Sequence, residues 1–78
     1  MSPALPRVSG EEAAKALMRA GFAHVSTRGS HCKLRDRASG RTAIVPLHRE
    51  LAIGTLASIL RQVGISAQEF RALLGQGS

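Results

Sequence analysis

The stretch Phe22–Leu47, FAHVSTRGSHCKLRDRASGRTAIVPL, decides the fold. Its period is two. From His31 to Asp36 the side chains of His31, Lys33 and Arg35 alternate with those of Cys32 and Leu34, which gives a strand with one charged and one apolar face. Phe22–Arg28 reads as the strand before it, with Val25 and Thr27 on one face and His24, Ser26 and Arg28 on the other. Gly29-Ser30 joins the two as a tight turn. Ala38-Ser39-Gly40 is a second turn, and Arg41–Leu47 a third strand with Ala43, Val45 and Leu47 inward and Thr42 and Ile44 outward. Pro46 has no amide hydrogen to give to a ladder, so it marks a strand end or an edge. Strands linked this closely form an antiparallel meander.

Outward from that stretch the period changes. Ser9-Gly10-Glu11-Glu12 is a capping box, serine at the cap and glutamate three residues on, and it starts a helix. The helix carries an apolar stripe of Ala13, Ala14, Leu17 and Met18 and stops at Gly21. Lys15 and Arg19 fall on another face and read as solvated. After a connecting loop, Leu47–Ile53, Gly54-Thr55 opens a helix whose apolar positions Leu56, Ile59, Leu60 and Val63 follow the i, i+3, i+4, i+7 spacing. Gly64 ends it. Ser66-Ala67-Gln68-Glu69 is a second capping box, with Ile65 and Phe70 placed as a hydrophobic staple, and this third helix buries Phe70, Leu73 and Leu74 before Gly75. The order is α-β-β-β-α-α, an α+β chain. A three-stranded antiparallel sheet with one apolar face needs a cover, so the helices are expected on one face and solvent on the other. Residues 1–7, with two prolines, read as a loose N-terminal arm, and 8–75 as a single domain.

Composition bounds the function. A chain of 78 residues carries one domain. Eleven Lys+Arg against five Asp+Glu give a net charge of +6, which favours a polyanionic partner. No apolar run is long enough to span a bilayer, and the N-terminus lacks the basic-then-apolar order of a secretory signal. The single cysteine, Cys32, can form neither an internal disulfide nor a zinc site by itself, which makes a reducing cytoplasm the default. It faces inward on the alternation and reads as a small buried residue. Phe22 and Phe70 are the only aromatic residues, so base stacking on aromatic platforms is scarcely available, and any nucleic acid would be held through phosphate, sugar and shape.

The open sheet face is where chemistry can reside. On it stand His31, Lys33 and Arg35, with Arg28 across the turn. A group that titrates near neutrality beside phosphate-binding cations is what metal-free RNA cleavage requires: one group takes the proton from a ribose 2′-OH, and positive charge stabilises the crowded phosphorus. A solitary histidine on an exposed strand is more commonly just a surface residue, and His24, also expected outward, shares that reading. His48 sits in a loop and reads as a local hydrogen-bonding residue. No Ser-His-Asp arrangement, glycine-rich phosphate loop or metal-ligand cluster stands out, and the carboxylates are too scattered for a carboxylate-metal nuclease.

The motifs taken together change the weighing. Ala20-Gly21-Phe22, then Arg28-Gly29-Ser30-His31, then Ile44-Val45-Pro46-Leu47-His48, then Gly54-Thr55-Leu56 with Ile59-Leu60 and Gly64, resemble the HicA toxin family over about Ser9 to Leu74. The resemblance implies a fold similar to a double-stranded-RNA-binding domain. It implies a metal-independent ribonuclease that cleaves mRNA without a cofactor, and a partner antitoxin of the HicB type that blocks the active site. The family's signature histidine follows Gly-Ser, as His31 does here. Two departures stand out: Cys32 directly after that histidine, where many relatives carry a polar or basic residue, and Leu51-Ala52-Ile53 before Gly54.

The sequence therefore leads to a cytoplasmic toxin, monomeric on its own, with His31 as general acid or base. Arg28, Lys33 and Arg35 are the expected substrate contacts, Gly29 permits the turn that presents His31, and Ser30 caps it. The rival is a non-catalytic RNA- or ribosome-binding module of the same fold. His31 discriminates, because a pure phosphate binder has no use for a group titrating near neutrality at the centre of its basic face.

Overall fold

The computed structural model of the chain describes residues 5–76. The elements are α1 (Gly10–Arg19), β1 (Phe22–Arg28), β2 (His31–Asp36), β3 (Thr42–Pro46), α2 (Ile53–Val63) and α3 (Ala67–Gly75). The sheet is antiparallel in the order β1-β2-β3, with β2 in the centre. α1 lies across all three strands, α2 packs on β3, and α3 packs against α1 and α2. The α+β order α-β-β-β-α-α and the one-sided helical cover are those expected from the sequence. Of the arm expected at 1–7, residues 1–4 lie outside the described residues, while Leu5 packs against the core.

The core forms between the sheet and the helices. Leu34 and Val45 from the strands, Leu17, Leu56 and Phe70 from the helices, and Leu51 from the loop before α2 are its largest fully buried side chains. At the start of α1 the capping box is complete: Ser9 Oγ accepts from the Glu12 N–H at 3.0 Å, and the Glu12 carboxylate accepts from the Ser9 N–H at 2.9 Å. The Ser9 N–H foremost, and the Ser9 hydroxyl after it, hold the Glu12 carboxyl below its usual range. α2 ends where Gly64 adopts φ 73°, a left-handed cap. At α3 only half of the expected box is present. Ser66 Oγ accepts from the Glu69 N–H at 3.1 Å, but the Glu69 carboxylate meets the Ser66 hydroxyl and not its N–H.

Side chains depart from their expected settings at four places. Met18 is 41% exposed and Ala16 is buried instead. At 3.6 residues per turn these two flank the buried arc of α1 on opposite sides, and α3 supplies a second packing partner beside the sheet. Leu47 is 37% exposed because β3 ends at Pro46, and the Leu47 N–H turns to the Ser30 carbonyl at 2.6 Å. Arg19 is not simply solvated: its Nη1 donates to the Leu73 carbonyl at 2.8 Å and ties α1 to the last turn of α3. The fourth departure is in β1. His24 pairs with Leu34 and Ser26 with Lys33, so Val25 is the extra residue of a β-bulge. His24 therefore lies on Leu34's side of the sheet and not on the open face, though it stays exposed there. It meets Thr27 there, Nε2 to Oγ1 at 2.7 Å. Val25 is 45% exposed and not inward.

Candidate nucleic-acid interface

His31 is the first residue of β2, exposed on the face away from the helices. The turn that presents it has only two residues between the paired Arg28 and His31. Gly29 takes φ 55° there, and among the described residues no non-glycine residue has positive φ. Positive φ at the first of two turn residues is the hairpin geometry whose twist matches that of the strands, and a side chain at Gly29 would strain it. Ser30 ties the turn to the end of β3 through its carbonyl, which accepts from Leu47. The tie matters because Pro46, directly opposite His31, has no N–H with which to continue the ladder.

Strand register fixes what surrounds His31. Arg28, His31 and Pro46 form one row across the three strands. Ser26, Lys33 and Ile44 form the next, and Ala23, Arg35 and Thr42 a third. Residues paired across a sheet share a face, so all of these belong to the open side. The rows contain Arg28, Lys33, Arg35 and His31 and no carboxylate. The nearest acid in sequence, Asp36, alternates to the other face. Its Oδ2 accepts from the Ser39 hydroxyl at 2.7 Å and its Oδ1 from the Ala38 N–H at 3.3 Å. Chiefly through the Ser39 bond, the Asp36 carboxyl is held below the usual aspartate range. Its charge is thereby committed to the β2–β3 turn.

A groove of about 390 Å³ opens on this face, lined by Ser26, Arg28, His31, Lys33 and Ile44. It brings together three of the residues expected from the sequence: His31, Arg28 and Lys33. Arg35 stands one row further along, and Gly29 and Ser30 shape the turn without lining the groove. His48 is not part of the lining either; its carbonyl accepts from the Gly10 N–H at 2.9 Å, which anchors the first turn of α1. Cys32 is buried and free, one residue away on the opposite face. Among the described residues, no three His, Cys, Asp or Glu side chains gather as a metal-ligand group. Ser26 and Ile44 also line the groove, and neither is among the substrate contacts expected from the sequence. The signal for them was available in strand alternation, which sets both on the outward face.

A family model described as the HicA toxin of bacterial toxin–antitoxin systems matches residues 10–65. The chain belongs to the HicA toxin family. The match runs from the first residue of α1, through the whole sheet, to the residue after the α2 cap. It therefore includes every residue of the open face, and of the helices and strands described above α3 alone lies outside it. Comparison with curated proteins gives no match. HicA membership makes this chain the toxin member of a toxin–antitoxin pair, so its partner is an antitoxin. Among the described residues no helix is long and apolar enough to cross a membrane.

Proposed function

We propose that this HicA toxin is a metal-independent endoribonuclease that cleaves mRNA, with His31 as its general acid or base. The observation that carries the reading is the setting of His31: exposed, paired with Arg28, two residues from Lys33, in a groove on a sheet face whose paired rows hold no carboxylate. Cleavage of RNA without metal is an internal transesterification. The ribose 2′-oxygen bonds to phosphorus as the bond from phosphorus to the 5′-oxygen breaks, giving a 2′,3′-cyclic phosphate and a free 5′-hydroxyl. One proton leaves the 2′-OH and one must reach the departing oxygen. Neutral imidazole can accept the first and imidazolium can supply the second, and histidine populates both forms near neutral pH. Arg28 and Lys33 neutralise the non-bridging oxygens, where charge accumulates in the transition state. His48, the weak candidate for the second proton transfer, lies outside the groove lining. Arg35 meets the phosphate one row along. Residues 8–75 form the toxin unit, and its mRNA substrate places its action in the cytoplasm.

The antitoxin, in this reading of the HicB type, silences the toxin by covering the open face. An acidic surface docking on Arg28, Lys33 and Arg35 would do so, and salt would weaken its association.

A cleavage assay on wild-type and His31→Ala protein tests the proposal. The substitution removes an exposed side chain, so melting temperature should not move. RNA binding, which rests on phosphate contacts, should be nearly unchanged. Cleavage should fall by about 10²–10⁴. Wild-type activity should persist in EDTA, and an all-deoxy analogue should resist. A His31→Ala protein that cleaves at near wild-type rate removes His31 from the mechanism. Two proteins that bind RNA well and cleave nothing point to the non-catalytic binding module.

A further inference from the structure

The three columns of the open face differ in chemistry. Down the centre, β2 presents His31, Lys33 and Arg35 at steps of two residues, about 6.6 Å apart. The β1 column offers Arg28 and Ser26. The β3 column offers Pro46 and Ile44, both apolar, ahead of Thr42, and Ile44 is 45% exposed beside Lys33. Ile44 contributes nothing to the core, since its neighbours Ala43 and Val45 fill the inward positions of β3. Ile44 thus stands bare on the edge strand, beside the cationic column of β2. Its place in the groove lining, one row from His31, ties it to whatever the groove holds.

We propose that Ile44 seats a nucleobase. An RNA strand runs along β2 with successive phosphates over the Arg28–His31 row and Lys33, and the base between them lies on the Ile44 side chain. Three observations favour this occupant. RNA is an anionic backbone beside a row of apolar base faces, and the sheet offers a cationic column beside an apolar one. The groove, at about 390 Å³, has the volume of a small-molecule pocket, enough to receive a single base. Phe22 and Phe70, the only aromatic side chains in the sequence, are both buried, so an aliphatic seat is what this face has for a base. Such a contact tolerates any base, because it reads the ring face and not the hydrogen-bonding edge.

The inference rests on the open face being the RNA face, and its test reads binding alone. Affinity for a short single-stranded RNA is measured by fluorescence anisotropy in a His31→Ala background. The same RNA is also prepared with one ribose-abasic residue placed at each position in turn. Ile44→Thr keeps β-branching while removing apolar surface, and it should weaken binding to intact RNA about three- to tenfold. Ile44→Phe should strengthen it, since an aromatic ring stacks better on a base. At one abasic position the Ile44→Thr penalty should vanish, because the base it lost contact with is already gone. Intact-RNA affinity unmoved by either variant overturns the seat and leaves Ile44 to a protein partner. A penalty of equal size at every abasic position overturns it as well. Normal base seating in a wild-type protein that never cleaves would instead refute the ribonuclease reading and leave this one standing.

Discussion

Gly10, the first residue of α1, has the backbone of β3 directly against it. A methyl group added there would overlap the Pro46 carbonyl oxygen and come within 2.8 Å of the Leu47 Cα. Both obstacles are main chain, so no rotamer change relieves them, and Gly10→Ala must push the first turn of α1 off the end of the sheet. Overpacking of this kind costs about 1–3 kcal/mol. The Gly10 N–H bond to the His48 carbonyl, 2.9 Å, would be strained too, at about 1 kcal/mol. Against this, alanine is the better helix former by up to about 1 kcal/mol. The net loss is about 1–3 kcal/mol, which in a domain this small lowers Tm by roughly 5–20 °C. Gly54 is the control. It lies in the first turn of α2, its φ is not positive, and a methyl there would meet nothing within 4 Å. Gly54→Ala should be neutral or slightly stabilising. Thermal and urea unfolding followed by circular dichroism compare the two variants. A Gly10→Ala protein as stable as wild type would show that α1 does not abut β3, and with it that the Pro46–Leu47 segment opposite His31 is not braced from below.

Truncation of Leu60, 4% exposed in α2, to alanine should cost roughly 2–5 kcal/mol, read from the same urea curves; a loss under about half a kcal/mol would place the stripe elsewhere. The Asp36 carboxyl titrates below its ordinary range when folded, so its contribution to stability is complete above that range and is lost as pH falls through the folded-state value. Ser39→Ala removes the main cause, and should move the Asp36 NMR titration midpoint upward and flatten the acid limb of the stability–pH profile; an unmoved midpoint would show that the turn does not hold the charge.

What was legible in the sequence is what short-range physics controls. The capping serines Ser9 and Ser66, the i, i+3, i+4, i+7 stripe of α2 and the His31–Asp36 alternation each depend on residues within a few positions of one another. All three appear in the structure, although the glutamate half of the second box does not close on the cap N–H. What was not legible depends on partners distant in sequence. Arg19 gains its role only because the end of α3 arrives beside it, and Ala16 is buried on a helix that packs against α3 as well as the sheet. Leu51 gives no periodic signal, yet it is fully buried and donates its N–H to the Val8 carbonyl at 2.8 Å, closing the loop before α2 against the start of α1.

The β1 bulge is the instructive case, because the sequence contained the contradiction that requires it. Phe22 and Arg28 have the same parity, so an unbroken strand puts both on one face. Phe22 belongs to the core by its apolar surface, whereas Arg28 belongs to the open face by its charge and its pairing with His31. Both demands can be met only if one residue between them is dropped from the alternation. The register shift between His24 and Ser26 does this, at the cost of exposing Val25. Thr27 and His24 then fall together on the helix side and hydrogen-bond across the irregularity. Ser26 and Arg28 keep their outward places beside Lys33 and His31. The bulge is thus the device that lets one short strand serve the core at its first residue and the groove at its last. It also explains why alternation read backward from Arg28 succeeds as far as Ser26 and fails beyond it.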